Sequence, residues 1–354
     1  METDFRKKKI IYIAPSWSTF VKEDISFLSE KYNTIPNIYN WSKKHLTPLY
    51  IIQQFFFVLF HSFNCEAIII SFGGYWSFLP SLIGKVRNVP TFIILNGTDC
   101  AAFPELNYGD LRKPWLKFIL KKSYQWCSQL LPVSQSLVFY ENNYFTDYPI
   151  FQGFQHHLPS VKTSYQVIPN GLKISNWEPN KTIIRNQKSF ITVLSNGQFF
   201  LKGGKLILEV AEKFPEHTFH FVGINDLEKK EIPTNVICHG RLVPEKLKEK
   251  LQAATYYFQL SNYEGFGVAL CEAMLCECIP IVSRVNALPE IIGETGFVLE
   301  KRNAKLLEQL LHSILKNSSS NDLRKKARNR IIKNYSQQKR AEAFFDLIDH
   351  RNTN

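Results

Sequence analysis

The chain reads as an α/β protein built from two doubly wound parallel-sheet domains, and three observations predict this class. Its 354 residues are enough for two domains of ordinary size. Short apolar runs with strand character alternate with helical stretches, in one series up to Val133 and in another from Phe190. Several of these runs close on glycine, asparagine or a charged residue, and ligands of parallel sheets gather at such carboxyl ends. The expected division is 1–171 for the first domain, 172–188 for a linker, 189–335 for the second domain and 336–354 for a terminal helix packing back on the first. Two such domains would place their binding edges across a cleft.

In the first series, Ile10 to Pro15 has the place of a first strand and Phe20 to Tyr32 that of the amphipathic helix after it. The joint between them, Pro15 to Thr19, lacks the glycines common in nucleotide-binding folds, which puts a phosphate contact there in doubt. Ile35 to Tyr39 reads as a second strand. Leu49 to Phe63, interrupted by Gln53 and Gln54, is the most apolar window and is shorter than the roughly 20 residues a membrane span needs. It reads as a core helix, with an interfacial helix as the other reading. Ala67 to Ser71 closes on Phe72, Gly73 and Gly74, a helix follows over Phe78 to Val86, and Thr91 to Leu95 closes on Asn96, Gly97, Thr98 and Asp99. Gly73, Gly74, Asn96 and Asp99 therefore fall at strand ends, where plain turn chemistry explains them as well as a ligand does. Arg112 to Lys122 places Lys113, Lys117 and Lys121 on one helical face, suited to solvent or to an anionic membrane. After a strand at Leu130 to Val133, the aromatic stretch Tyr140 to Leu158 is irregular, and its adjacent His156 and His157 have poor spacing for a metal.

The second series offers strands at Phe190 to Leu194, Thr218 to Val222, Val236 to Cys238, Thr255 to Leu260, Ile279 to Ser283 and Phe297 to Leu299. After its first strand, Lys202 precedes Gly203 and Gly204, so a cation and free backbone donors converge on one spot suited to a pyrophosphate. Cys238 to Arg241 closes another strand, where Arg241 could meet a base or a phosphate. Thr255 to Leu260 leads into Glu264, Gly265, Phe266 and Gly267, and a helix over Val268 to Leu275 carries Glu272. The two carboxylates stand eight residues apart, at most about 12 Å along a helix, roughly the separation of the sugar and the ribose in an extended nucleotide sugar. Two solvated glutamates on a surface helix would satisfy the same spacing. A final helix is expected over Gln337 to His350, with Ser336 as its cap.

Composition narrows the setting. A net charge of +12, shared by both halves, suits phosphorylated small molecules, polyanions or acidic membranes. No zinc, basic-zipper or RNA-recognition pattern supports a nucleic-acid partner. Seven scattered cysteines argue against a disulfide framework and for a reducing cytosol, and no secretory signal is visible.

The pieces together resemble the GT-B retaining glycosyltransferases of family 4 (glycosyl transferases group 1), enzymes of two Rossmann-like domains. The resemblance rests on Val167 to Gly171, Lys202-Gly203, Cys238 to Arg241, Glu264-Gly-Phe-Gly with Glu272, Ala287 to Glu290, Gly296 to Val298 and the terminal helix. It is strong over 165–300 and loose over 1–164. It implies that Glu264 holds donor-sugar hydroxyls near the amides of Gly265, Phe266, Gly267 and Val268, that Glu272 holds the ribose, Lys202 the pyrophosphate and the Cys238 to Arg241 segment the base. Glu264 and Lys202 are then the catalytic residues, Asn196 and Gln198 further donor contacts, and Gly73, Gly74, Asn96 and Asp99 the acceptor side. The reaction expected is transfer from a UDP- or GDP-type sugar to a glycan or lipid-linked acceptor, with no metal, no other cofactor and no nucleic acid. The setting is surface polysaccharide or glycolipid assembly, in the cytoplasm or peripherally on the inner face of the cell membrane. Two positions depart from the pattern. The usual arginine before the lysine is replaced by Asn196 and Gly197, and the usual first-domain histidine by Asn96. These departures leave open a non-catalytic nucleotide-sugar-binding partner and, as a second alternative, a nucleotide-sugar epimerase of the same fold.

Overall fold

The computed structural model describes residues 7–225, 232–316 and 320–350, and the chain divides into two compact units. One comprises residues 1–140, 151–171 and 337–354; the other comprises 141–150 and 172–336.

The first unit opens with β1 (Lys9–Ala14), α1 (Thr19–Lys31), β2 (Asn33–Ile38), α2 (Thr47–His61), β3 (Cys65–Ser71), α3 (Tyr75–Val86), β4 (Thr91–Leu95), α4 (Pro114–Trp126) and β5 (Gln129–Pro132). All pairings are parallel, in the order β2-β1-β3-β4-β5. Residues 10–14, 67–71 and 91–95 are buried throughout, as strands covered on both faces require. α4 starts at Pro114, two residues into the expected Arg112 to Lys122 window, because proline suits the first helical position and leaves Arg112 in the preceding 3-10 turn.

α2 overturns the expectation of a core helix at 49–63. The side it buries carries Gln54 and Val58, while most of its large apolar residues stay exposed. The Gln54 amide donates to Asn37 Oδ1 at 3.1 Å, which satisfies a buried polar group. Mean hydropathy of a window does not say which strip of the helix meets the protein.

The stretch expected to be irregular at 140–158 holds a two-stranded ribbon, β6 (Tyr140–Asn142) and β7 (Ile150–Gln152), and a one-turn α5 (Phe154–His157). Within the expected linker, Ile174–Trp177 forms a 3-10 turn that buries Trp177, and β8 (Asn186–Val193) begins before residue 188.

The second unit continues with α6 (Gly204–Ala211), β9 (Thr218–Val222), β10 (Val236–Cys238), α7 (Pro244–Ala253), β11 (Ala254–Gln259), α8 (Val268–Leu275), β12 (Ile279–Ser283), α9 (Leu288–Ile292), β13 (Phe297–Leu299), α10 (Ala304–Lys316) and α11 (Ser320–Asn334). Its sheet, also parallel, runs β10-β9-β8-β11-β12-β13. Phe190 anchors one layer of the core, stacking on Phe219, Tyr256 and Phe258 of the flanking strands at ring-centroid distances of 4.9, 4.9 and 5.0 Å.

The last helix, α12 (Gln337–His350), groups with the first unit. Arg340 grips Asp24 of α1 bidentately, at 2.7 and 2.9 Å, and donates to the carbonyls of Ile168 and Pro169. Tyr12 of β1 donates to the same carboxylate at 2.9 Å, so a nearly water-free pair has every charged partner satisfied.

Candidate functional site

Parallel strands bring their carboxyl ends to one edge, and in the second sheet that edge collects the loops after β10, β9, β8 and β11 in spatial order. The strand spacing puts the first and last of these roughly 14 Å apart. At the β11 end the Lys202 ammonium pairs with Glu264 Oε2. The same oxygen accepts from Gln259 Nε2 at 2.8 Å and from Ser261 Oγ at 3.2 Å. Glu264 is fixed at its backbone as well, where its N–H donates to Asn286 Oδ1 at 3.2 Å. Oε1 has no hydrogen bond among the described residues, and the side chain keeps 14% of its exposure. One carboxylate oxygen is thus held by three donors and the other is left to accept from outside.

Two helices start beside this pair, and each opens on a glycine with positive φ. Gly203 (φ 78°) caps α6, and a Cβ there would stand 2.3 Å from the Leu260 carbonyl oxygen, so the Lys202 loop and the end of β11 can approach only at glycine. Gly267 (φ 109°) caps α8. Both first turns offer unpaired N–H groups and the positive end of a helix dipole. Phe266 is buried edge-on against Tyr335 at 5.3 Å, which sets the course of the loop from Gly265 to Gly267. On α8, Val268 and Glu272 are half-buried neighbours four residues apart, while Leu270, Cys271, Ala273, Met274 and Leu275 face the core.

Asn196 and Gln198 lie on an exposed 3-10 turn after β8, and the Gln198 carbonyl accepts the Lys202 N–H at 2.8 Å. Lys205 is turned into solvent, 3.7 Å from Glu209. Arg241 is exposed after β10, three strands from Glu264. Before it, His239 Nε2 and His220 Nδ1 lie 2.9 Å apart with their rings stacked. Burial, with His239 and Lys250 nearby, pushes the His220 pKa down to about 4, so both imidazoles are neutral at pH 7 and share one proton in the bond.

In the first unit, Asp99 is fully buried, with Oδ1 accepting the N–H groups of Asn96 and Gly97 at 3.1 and 2.9 Å and Oδ2 that of Gly73 at 2.9 Å. Both oxygens brace the loops after β3 and β4. Burial raises its pKa to about 6 against the lowering effect of those donors. Gly73 is required by the fold, since a Cβ would stand 2.4 Å from the Tyr124 hydroxyl. Gly74 precedes α3 in extended backbone, exchanging hydrogen bonds with Ser77. Asn96 is half-buried, and its amide donates to the Ile94 carbonyl at 3.4 Å. A cavity of about 330 Å³ opens at this edge, lined by Ser16, Ser18, Phe72, Gly73, Trp76 and Thr98 among others.

Sequence reading passed over Gln259, Ser261 and Asn286. Gln259 fell inside the expected strand Thr255 to Leu260 and Ser261 just after it. Asn286 carried a usable signal, because asparagine is enriched among residues with positive φ, here 50°.

Residues 178–337 match the family Glycosyl transferases group 1. The chain is 25% identical over 215 residues to an alpha-galactosylglucosyldiacylglycerol synthase of Streptococcus pneumoniae, covering 54% of this chain and 56% of that protein. It is 28% identical over 167 residues to an uncharacterized glycosyltransferase of Methanocaldococcus jannaschii, covering 45% and 46%. The chain thus spans about half the length of these curated relatives. Among solved structures it is similar to sucrose-phosphate synthase of Thermosynechococcus elongatus, with a TM-score of 0.73 and 14% identity over 98% of this chain and 100% of that one. It is equally similar to HepE of Anabaena in complex with UDP, with a TM-score of 0.73 and 13% identity over 97% and 100%. The chain therefore has the two-domain α/β GT-B fold, and the part of it that matches the glycosyl transferases group 1 family is residues 178–337, in the second unit's sheet and helices.

Proposed function

We propose that the second unit binds a nucleoside-diphosphate sugar and that the protein transfers the sugar, with retention of configuration, to a glycan or glycolipid acceptor. One observation carries the reading: Glu264 has one oxygen held by Lys202, Gln259 and Ser261 and the other open, beside two glycine-capped helix starts. A carboxylate held in this way accepts from sugar hydroxyls at fixed positions, and charge-assisted bonds of that kind contribute about 1.5–3 kcal/mol. Lys202 and the free N–H groups of α6 and α8 suit the pyrophosphate, whose growing charge they stabilise as it departs. Glu272 serves the ribose, and the loop ending in Arg241 serves the base. The bond from the anomeric carbon to the phosphate oxygen breaks, the bond to the acceptor oxygen forms on the same face, and the leaving phosphate takes the acceptor proton. No protein nucleophile and no metal enters these steps.

Support for the donor class comes from HepE, which has been solved with UDP and with UDP-glucose. The named diacylglycerol relative supports glycolipid or polysaccharide assembly as the setting. All seven cysteines are free thiols, which suits a cytoplasmic location.

The test is thermal unfolding of the full chain with UDP, GDP and their sugar conjugates, followed by NMR of the anomeric proton of the product. A ligand at 100 times its Kd should add about 2.7 kcal/mol of stability. The product should keep the donor's anomeric configuration. Absence of protection by every donor would overturn the reading, and protection without turnover would assign a binding role instead.

A further inference from the structure

We propose that the face of the first unit covered by α2, α3 and α4 docks on an anionic lipid bilayer, with α2 lying in the interface. The inference does not depend on sugar transfer.

α2 is amphipathic in the reverse sense for a helix in water. It buries Gln54, 1% exposed, and presents Leu49, Ile52 and Phe56 with Phe60 and, just past its end, Phe63, each between 48% and 66% exposed. Steps of three and four residues align these five in one stripe, about 22 Å long for a helix of this size. The rings of Phe56 and Phe60 stack at 6.4 Å, so the stripe is continuous. No described helix is long and apolar enough to cross a membrane, which leaves lying on one as the geometry available to this stripe.

Topology places the neighbouring helices on the same face. The connections from β2 to β3, β3 to β4 and β4 to β5 all advance in one direction across the sheet, and right-handed crossovers then put their helices on one side. The connection from β1 to β2 runs the other way and sends α1 to the opposite side. α4 adds Trp115 and Phe118, 67% and 47% exposed and stacked at 5.8 Å.

Charge selects the occupant. α2, α3 and α4 contain no aspartate or glutamate, whereas Lys85, Lys117, Lys121 and Lys122 sit on them and Lys43 and Lys44 just precede α2. The Arg87 guanidinium stacks 3.6 Å over the Phe63 ring, joining a cation to the end of the apolar stripe. An apolar strip on helices whose only charged residues are lysines fits a surface with anionic headgroups above acyl chains, with Glu66 beside Phe63 and Asp110 beside Lys113 as the nearby acids.

The experiment is co-sedimentation of the full chain with vesicles of phosphatidylcholine alone or mixed with phosphatidylglycerol. Binding to the mixed vesicles is expected, weakening with salt and at least about tenfold weaker on neutral ones. Phe56→Ser combined with Phe60→Ser should lower binding by about tenfold or more. Lys117→Glu with Lys121→Glu and Lys122→Glu alters only partly exposed lysines and should remove most of the salt dependence while unfolding in urea like the parent. The charge-reversal set decides the matter if the phenylalanine variant does not fold. Absence of vesicle binding, or equal binding by the charge-reversal set, overturns the proposal. So does a dimer in gel filtration that the phenylalanine changes disperse without affecting vesicles, which would assign the face to a second copy.

Discussion

Each of the two sheets carries an acidic residue just past its fourth strand in chain order, and the two acids are used in opposite ways. Asp99, past β4, is fully buried and engages both oxygens with N–H groups of its own loops. Glu264, past β11, engages one oxygen and keeps the other open at 14% exposure. Topology delivers an acid to an equivalent place in both cases, so the difference lies in side-chain length and in what surrounds it. The short aspartate reaches only backbone N–H groups of its own turn and of the adjoining loop at Gly73, whereas the longer glutamate reaches Lys202 and still faces outward.

This contrast breaks first at Glu264. Glu264→Ala should reduce turnover by about 100- to 1,000-fold, the scale for removing one preorganised transition-state contact. UDP or GDP binding, read by calorimetry, should remain within a few fold. Unchanged turnover would place Glu264 outside the site, and a variant that merely unfolds would make it a brace like Asp99. Asp99→Ala should act the other way, leaving three buried N–H groups without an acceptor and lowering stability by about 2–4 kcal/mol in urea unfolding. Full stability with lost turnover would move Asp99 into the chemistry.

The pH dependence sharpens the same point. A native pKa of about 6 lies above the ordinary 3.8, so the folded chain holds the Asp99 proton over that range more tightly than the unfolded one does. Its contribution is present below about pH 4 and is lost as pH rises through 6, by on the order of 3 kcal/mol. Urea titrations from acid to neutral pH should show this fall in the parent and not in Asp99→Ala. The smallest effect is expected at Lys202, where Lys202→Ala should weaken nucleotide binding by roughly 1–3 kcal/mol. Equal affinity in a titration would confine Lys202 to holding Glu264.

Much of the secondary structure was legible because it is local. The strands at 91–95, 218–222, 236–238, 279–283 and 297–299 and the helix at 268–275 fall where apolar runs and their glycine or asparagine stops put them. Glu264, Glu272 and Lys202 stood out by residue type and position beside glycine. Gln259, Ser261 and Asn286 did not, because short polar residues at strand ends and turns look alike whether or not they aim at a carboxylate. α2 misled for a related reason: its composition is that of a core helix, and only the packing shows the glutamine turned inward and the phenylalanines turned out.

The sequence by itself determined the alternation of strand and helix, the parallel sheets that follow from it, and the edge to which each chemistry-bearing loop is delivered. These depend on periodicity and turn chemistry, which act over a few residues. Tertiary structure alone decided that Lys202 meets Glu264 across 62 positions and that Arg340 closes on Asp24 across 316. It also decided that Asp99 is sealed while Glu264 is not. Contacts so distant in the chain depend on how sheets stack and loops converge, and burial, which sets whether a carboxylate braces or binds, is a property of that packing.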